Sequence, residues 1–265
     1  EKGKKISDKE LKLIIKDIFK TEQKPEKNIS LDFEHELSII SLKNLQMSLN
    51  TFYRIVLKVT KELYPKEYMN VSPQIFRLHT WVGYDVDGRG DISWSNTFSK
   101  RLKVKIEQLK IYKDSLNNIL KLCAEKRVNK KIIKLHNLIS NSIRINEKAY
   151  KSFSDPNFLN DVEDVKKISN FLHKNRLSLI TNSKTLIEYL TDIQKHFVPV
   201  TSKTQDKTFD ELIILKIEIK NFGLGLGRTQ VRLNANQLNN AISKEIDLKG
   251  NPDDPSSKRT YLQSL

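Results

Sequence analysis

The sequence predicts a mostly α-helical protein with long helices and two short strands. Apolar residues recur at alternating steps of three and four through most of the 265-residue chain, which is the spacing of one helical face. Only two segments, about 76–84 and 224–233, depart from that spacing and are predicted to be strands. Two strands alone form a marginal sheet. Either they belong to a larger sheet built by residues outside this chain, or the strand prediction is wrong.

The N-terminal part of the chain, residues 1–75, is predicted to be helical. A short amphipathic helix covers residues 6–19, with Ser7 as its N-cap. A long helix covers residues 31–64 and ends before Pro65. Seven apolar residues mark the face of this helix that is predicted to be buried: Leu42, Leu45, Leu49, Phe52, Val56, Val59 and Leu63.

The remaining part, residues 76–265, is predicted to hold both strands and six further helices. The first of these begins near Asn96, with Ser93 or Ser95 as its N-cap. Cys123 lies on its apolar face, which predicts a buried, unreactive thiol. The other five helices are predicted from the apolar spacing around residues 132–143, 158–172, 186–197, 209–219 and 237–246.

Composition and charge narrow the classes of function. The net charge of +15 favours nucleic-acid binding, but the lysines are spread over every helix and aromatic residues seldom interleave with them, so we do not expect a nucleic-acid partner. The single cysteine excludes an internal disulfide. No apolar run approaches the roughly 20 residues of a membrane helix, and no signal peptide is recognisable. We therefore expect a cytoplasmic protein without a membrane partner.

Unusual residues are concentrated between His79 and Asn96 (HTWVGYDVDGRGDISWSN). Both tryptophans of the chain lie here, together with three aspartates and three glycines. Residues 85–91 are predicted to form a tight polar loop between a strand and a helix. Free backbone N–H groups and positive side chains converge at such a helix N-terminus, which predicts an anion-binding site. A calcium loop is not predicted, because Arg89 occupies a ligand position.

Glycines also cluster at the start of the second predicted strand. Gly223, Gly225 and Gly227 alternate with leucines, and they precede the strand. A dinucleotide-binding turn follows its strand and has a different spacing, so that function is rejected. The glycines are predicted to allow a close approach of another backbone segment.

Two segments resemble motifs of phosphoenolpyruvate carboxylase. Residues 81–88 (WVGYDVDG) are similar to that family's Trp-x-Gly-Gly-Asp-Arg-Asp-Gly-Asn motif. Residues 222–224 and 230–232 (FGL and QVR) are similar to its later Phe-Gly-Leu and Asp-Ile-Arg-Gln segment, which lies on a barrel strand. The two motifs occur in the family's order and are separated by helices. The resemblance implies the middle portion of a divergent bacterial-type enzyme, and hence a partial (β/α)8-barrel-derived fragment.

The resemblance also implies an activity. Enzymes of this family add bicarbonate to phosphoenolpyruvate with Mg²⁺ or Mn²⁺, giving oxaloacetate and phosphate, a carbon fixation that replenishes the tricarboxylic acid cycle. The family's essential histidines, metal ligands and mobile loop have no counterpart in these residues. The chain alone is therefore expected to be inactive and to need the remaining segments of the enzyme as partners. The complete enzyme is expected to be a homo-oligomer.

The sequence departs from the family pattern at several positions. The arginine between the two motif aspartates is replaced by Val86, and the second glycine is replaced by Tyr84. The asparagine that follows the motif is Arg89, which we hypothesise supplies the missing positive charge. In the second motif the aspartate is Gln230, whereas Arg232 matches.

Five residues are candidates for the site. Asp85, Asp87 and Arg89 are the catalytic candidates, with the two aspartates orienting Arg89 or the loop backbone. Gly88 and Arg232 are the candidates for substrate binding, since arginine binds phosphate well. The alternatives are turn formation for the two aspartates and a structural ion pair for Arg232. The interpretation requires Arg89 and Arg232 to lie close together on neighbouring segments, and Trp81 to lie on an extended segment and not on a helix.

Two other classes of function stay open. A non-catalytic helical module that binds an anionic ligand or partner is one, and a weak nucleic-acid binder is the other. The helical module would bind an anion through the charged loop without catalysing a reaction. The nucleic-acid binder would depend on the overall positive charge.

Overall fold

The computed structural model describes residues 7–20, 29–85, 87, 92–155, 157–197 and 203–232, together with 235, 238 and 242. The described elements, in chain order, are α1 (Asp8–Lys20), α2 (Leu31–Leu63), β1 (His79–Thr80), α3 (Trp94–Leu122), α4 (Lys126–Phe153), α5 (Val162–Lys174), α6 (Ser183–Gln194), α7 (Lys203–Phe222) and β2 (Arg228–Thr229). The prediction of a mostly helical protein with two strands is confirmed. The predicted helix at 237–246 lies almost entirely outside the described residues.

Local capping interactions fix where several helices begin. The backbone N–H of Glu10 donates to Ser7 Oγ at 3.3 Å, and the N–H of Ser7 donates back to the Glu10 carboxylate at 2.9 Å. This reciprocal pair is a capping box, and it confirms Ser7 as the N-cap of α1. Ser93, and not Ser95, caps α3, because its Oγ accepts the backbone N–H of Asn96 at 3.2 Å.

The core is built around α3 and α4, which are joined by three residues and pack along their length. α2, α6 and α7 cover this pair. The apolar side chains of α3 and α4 that face the core are almost completely buried, including Leu109, Leu116, Ile132 and Leu135. Each buried side chain of this kind contributes roughly 1.5–3 kcal/mol to the hydrophobic stabilisation. Cys123, at the end of α3, is buried as predicted.

The buried face of α2 differs from the predicted one. Leu45, Val59 and Leu63 are 49%, 46% and 66% exposed, so their predicted burial is wrong. The residues that α2 buries are His35, Ile39, Leu42, Gln46, Tyr53 and Leu57. Two of these are polar, and a search for apolar spacing alone therefore selects the neighbouring face.

The two strands pair with each other in parallel. His79 lies opposite Arg228, and Thr80 lies opposite Thr229. The N–H of Arg228 donates to the carbonyl of Leu78 at 2.8 Å, and the N–H of Gln230 donates to that of Thr80 at 2.9 Å. A parallel pair needs a long crossover connection, which here is the helical region between the strands.

Both strands are much shorter than the predicted segments 76–84 and 224–233. Gly83, with a φ of +86°, allows the chain to turn shortly after β1. The pairing of the two segments is interrupted at this turn and resumes as a single bridge between Asp85 and Arg232. At the start of β2, a Cβ on Gly227 would lie 3.0 Å from the carbonyl oxygen of Leu78. The predicted close approach of a backbone to this glycine is confirmed.

No helix within the described ranges combines the length and the apolar character that crossing a membrane requires.

Candidate functional site

The two segments that resemble the family motifs lie side by side. The N–H of Arg232 donates to the carbonyl of Tyr84 at 3.1 Å, and Asp85 pairs with Arg232 as an isolated parallel bridge. The Arg232 guanidinium also approaches the Asp85 carboxylate, with Nη1 at 3.4 Å from Oδ2. The two segments are thus neighbours, but the required closeness of Arg89 to Arg232 lies outside the described residues. Trp81 lies between β1 and the following turn and not on a helix.

The pair between Asp85 and Arg232 leaves binding capacity on both side chains. The Arg232 side chain is 65% exposed, so most of its N–H groups face solvent. The other Asp85 oxygen, Oδ1, is buried and accepts no hydrogen bond from the described residues. An ion pair this exposed on one side contributes about 0–1 kcal/mol to stability. Geometry therefore allows Asp85 to orient Arg232 while the guanidinium binds an external anion.

The other candidates are placed only in part. Asp87 is exposed. Gly88 and Arg89 lie outside the described residues, as does Val86. The hypothesis that Arg89 replaces the motif arginine therefore stays a prediction.

The turn after β1 rests on α2 and α3. The N–H of Tyr84 donates to the carbonyl of Trp81 at 2.9 Å and closes the turn. A Cβ on Gly83 would lie 3.1 Å from Cγ of Lys100 and 3.5 Å from Cδ2 of His35. The left-handed φ and this contact together require glycine at position 83. The motif turn is therefore held against two helices, which fixes its position.

Two positive side chains, Arg101 and Lys105, lie one helical turn apart on α3, and Arg101 is the one close to the motif turn. The Arg101 guanidinium packs against Gly225, since a Cβ there would lie 2.6 Å from Nη1. Burial raises the pKa of Tyr84, and the nearby positive charge of Arg101 opposes that increase. Neither cation forms an ion pair with a carboxylate of the described residues. Unpaired cations of this kind attract anions.

Lys105 is the more unusual of the two. Burial lowers its pKa to about 8, and the charge of Arg101 adds to that effect. At neutral pH the ammonium is still protonated, and a neighbouring anion would stabilise it. Perturbed groups of this type are more frequent at functional sites than elsewhere.

A cleft of about 660 Å³ opens where α2 and α3 begin. Its walls include Ser93 and Asn96 from the first turn of α3, and Lys100 and Lys103 from the next turns. Lys100 is buried, and its ammonium pairs with the carboxylate of Asp32. Three carboxylates, Asp32, Glu36 and Asp155, line the cleft as well, so its walls carry both charges. The predicted anion-binding site at the start of α3 therefore stays a prediction.

His35 forms part of the same cleft and also contacts the motif turn. Its side chain is 3% exposed, and its Nε2 has no hydrogen-bond partner among the described residues. Burial lowers the pKa of His35 to about 4, and Lys103 adds to the decrease. The imidazole is therefore neutral at physiological pH, so it takes part in hydrogen bonding without a charge.

Sequence reasoning missed four of these residues: His35, Lys100, Arg101 and Lys105. The chain has 47 lysines and arginines, distributed over all its helices. Nothing in the spacing marks these cations: Lys100 is distinguished by its burial and its contact with Gly83, Arg101 by its contact with Gly225, and Lys105 by its partial burial. The one available signal was the position of the three cations soon after the predicted N-terminus of α3, and His35 had no such signal.

No family model, curated protein or solved structure matches this chain.

A metal site was not predicted from these residues. Within the part of the chain that the structure describes, no three His, Cys, Asp or Glu side chains are close enough to hold a metal ion together. Mg²⁺ and Mn²⁺ need several oxygen ligands, and Asp85, the best-placed carboxylate, already pairs with Arg232. These residues do not fit a metal centre on their own.

Proposed function

We propose that this chain is the middle portion of a phosphoenolpyruvate carboxylase, which adds bicarbonate to phosphoenolpyruvate and gives oxaloacetate and phosphate. The observation that best supports the proposal is the parallel pairing of two segments that are 147 residues apart, measured from Asp85 to Arg232. Both resemble motifs of that family. Parallel strands joined through helices are the building units of a (β/α)8 barrel, whose remaining strands would come from other segments of the enzyme.

The chemistry of the proposed reaction suits the residues that lie here. Phosphoenolpyruvate carries a phosphate and a carboxylate, and negative charge develops on an enolate during carboxylation. Arg232 offers an exposed guanidinium that binds a phosphate through two parallel hydrogen bonds. Asp85 orients that guanidinium through its carboxylate. Arg101 and Lys105 add positive charge behind the strands and stabilise the bound anion.

The rest of the enzyme supplies what this chain lacks. Those other segments would hold the divalent metal, which would supply positive charge to the reaction. The acid–base histidines also belong there. The residues described above bind and orient the substrate but transfer no proton, so the isolated chain is proposed to be inactive. Arg89 is proposed to approach the substrate from the loop after β1.

The test is a coupled assay that measures oxaloacetate formation. The chain is assayed alone and after assembly with the remaining segments of a phosphoenolpyruvate carboxylase, in the presence of Mg²⁺. We expect turnover only after assembly. Turnover by the isolated chain would contradict the division of catalytic groups, and an assembled complex without turnover would contradict the proposed function.

A variant of Arg232 tests the role of the paired motifs. In the assembled enzyme, Arg232→Ala removes the anion-binding guanidinium, and we expect kcat/KM to fall about a hundredfold or more. Arg144→Ala is the matched control, since Arg144 is an exposed arginine on α4 far along the chain from both motifs. The control is expected to stay within about twofold of the parent. Equal losses of kcat/KM in both variants would show that Arg232 does not belong to the substrate-binding site.

A second function, binding of an anionic ligand without catalysis, is favoured by Arg101 and Lys105, which form no ion pair with the described carboxylates. In that case the isolated chain binds phosphoenolpyruvate or another small anion without metal, which calorimetry would detect. A weak nucleic-acid binder is supported only by the net charge of +15. Salt-sensitive binding to nucleic acids of unrelated sequence would favour it.

A further inference from the structure

A small cavity of about 100 Å³ lies between α7 and the segment that leads toward β1. Residues 69–72 form one wall, and the other wall comes from α7 through Ile213, Lys216, Ile217 and Lys220. None of these residues belongs to the motif turn or to the large cleft. The first wall precedes β1 in the chain, and the second wall precedes β2.

The cavity has a positive lining without a compensating carboxylate. Lys216 and Lys220 lie one helical turn apart on α7, and no Asp or Glu is among the lining residues. Burial lowers the pKa of Lys216, and the positive charge of Lys220 lowers it further. The two like charges repel each other at this spacing. Lys216 Nζ is also positioned by a hydrogen bond of 3.0 Å to Gln194 Oε1.

The opposite wall contributes a buried hydroxyl, that of Ser72. Ser72 Oγ is buried and makes no hydrogen bond to the described residues. A buried hydroxyl without a partner is unfavourable, and such groups in folded proteins require an explanation. Asn70 adds a side-chain amide to the same wall. The polar groups around the cavity are therefore all able to donate hydrogen bonds.

We propose that this cavity binds a small tetrahedral oxyanion, phosphate or sulfate, between Lys216, Lys220 and the Ser72 hydroxyl. The anion offsets the repulsion between the lysines and gives the hydroxyl an acceptor. The volume has room for a few water molecules and is far below the roughly 300–1,000 Å³ of pockets for larger ligands. A small anion therefore fits, and a nucleotide does not.

The position of this site gives the anion a structural role. Asn221, at the end of α7, donates its side-chain amide to the carbonyl of Pro73 at 2.9 Å. That contact already links the segment before β1 to the helix before β2. An anion bound to Ser72 and to both lysines adds a second link between the same two segments. Its binding is thus expected to stabilise the strand pair, independently of any catalytic function.

The test measures phosphate binding to the whole chain by calorimetry and by thermal unfolding, with sodium chloride at equal ionic strength as the reference. We expect phosphate and sulfate to raise Tm more than chloride does. Lys216→Gln/Lys220→Gln is expected to weaken phosphate binding about a hundredfold, since each of the two lost charge-assisted bonds is worth about tenfold. Ser72→Ala is expected to weaken it by a smaller factor.

A matched control separates this site from the general positive charge. Lys126→Gln/Lys130→Gln removes two exposed lysines with the same spacing on α4 and is expected to leave phosphate binding unchanged. Glycerol phosphate serves as a probe for a phosphate group on a larger molecule. Tighter binding of the ester than of phosphate identifies a phosphorylated metabolite as the ligand class, and equal or weaker binding identifies the free anion. The proposal would be overturned if both double variants lost phosphate affinity equally. It would also be overturned if phosphate raised Tm no more than chloride does.

Discussion

Among single residues, Gly83 has the most constrained environment in the motif turn. Its φ of +86° is a left-handed conformation, and a Cβ there would press on the Lys100 side chain at 3.1 Å. Gly83→Ala is expected to lower the free energy of unfolding by about 2 kcal/mol or more. Gly223 is the matched control, because its φ is +64° but a Cβ would meet only Ser183 Oγ at 4.0 Å.

The measurement is urea denaturation of the parent and the two variants. Gly223→Ala is expected to cost only the conformational strain, about 1–2 kcal/mol. A larger loss of unfolding free energy in Gly223→Ala than in Gly83→Ala would mean that the motif turn does not pack against α2 and α3.

His35 gives a prediction about pH. Its pKa in the folded protein is about 4, below the usual 6.5, so the unfolded chain binds more protons between these values. Stability is therefore fully present above pH 6.5 and is lost as the pH falls toward 4. The contribution amounts to about 3 kcal/mol from a shift of this size.

Stability measured by chemical denaturation between pH 4 and pH 7 tests this contribution. His35→Gln removes the titrating group, so its stability is expected to fall less steeply over this range than that of the parent. Parallel curves for the two proteins would show that His35 titrates normally in the folded state.

Between elements, a buried amide network connects α2, α3 and the segment before β2. Gln46 Nε2 donates to Gln108 Oε1 at 2.7 Å and to the carbonyl of Leu226 at 2.8 Å. Gln46→Ala leaves both acceptors buried without a donor, and we expect it to lower the free energy of unfolding by about 1–3 kcal/mol. Met47→Ala, at an adjacent position that is 69% exposed, is expected to change it by less than about 0.5 kcal/mol. Guanidinium denaturation of both variants distinguishes the two sites, and similar small losses would contradict the network.

The contacts of Gln46 illustrate which features of the helices the sequence predicts and which it does not. The start of α1 at Ser7 and that of α3 at Ser93 follow from interactions within four residues, which a sequence displays directly. The buried face of α2 depends on Gln46, whose partners are 62 and 180 residues away. Spacing of apolar residues does not contain that information. The strands are short for a related reason, since their length depends on neighbours and not on local preference.

The candidate site likewise has features that the sequence predicts and features that it does not. The sequence predicts that the two motif segments are neighbours, but it does not predict the ion pair of Asp85 with Arg232, since Asp85 is expected to orient Arg89 or the loop backbone. The sequence does not predict the contributions of Arg101 and Lys105, because each is one of 47 lysines and arginines. Only the folded chain shows that the space beside Gly225 is filled by a guanidinium.

For the whole molecule, the distribution of exposed apolar side chains indicates further contacts. α1 buries no residue, although its apolar side chains lie mainly on one face. On the outer side of α2, four apolar residues are 38–69% exposed: Phe33, Leu37, Ile40 and Met47. A helix with apolar residues on two faces is normally buried on both. Contiguous exposed apolar surfaces of this kind are sites of association.

We therefore expect the isolated chain to associate with itself as its concentration rises, despite the net charge of +15. Ile14→Lys/Ile18→Lys places charge on the apolar face of α1 and is expected to reduce association, because a buried ammonium without a partner is unfavourable. Leu177→Lys adds charge at an isolated apolar residue that is 89% exposed and is expected to have no effect on association. Sedimentation velocity over a range of concentrations measures the outcome. If the parent stays monomeric at all concentrations, or if both variants change association equally, the apolar face of α1 is not an association surface.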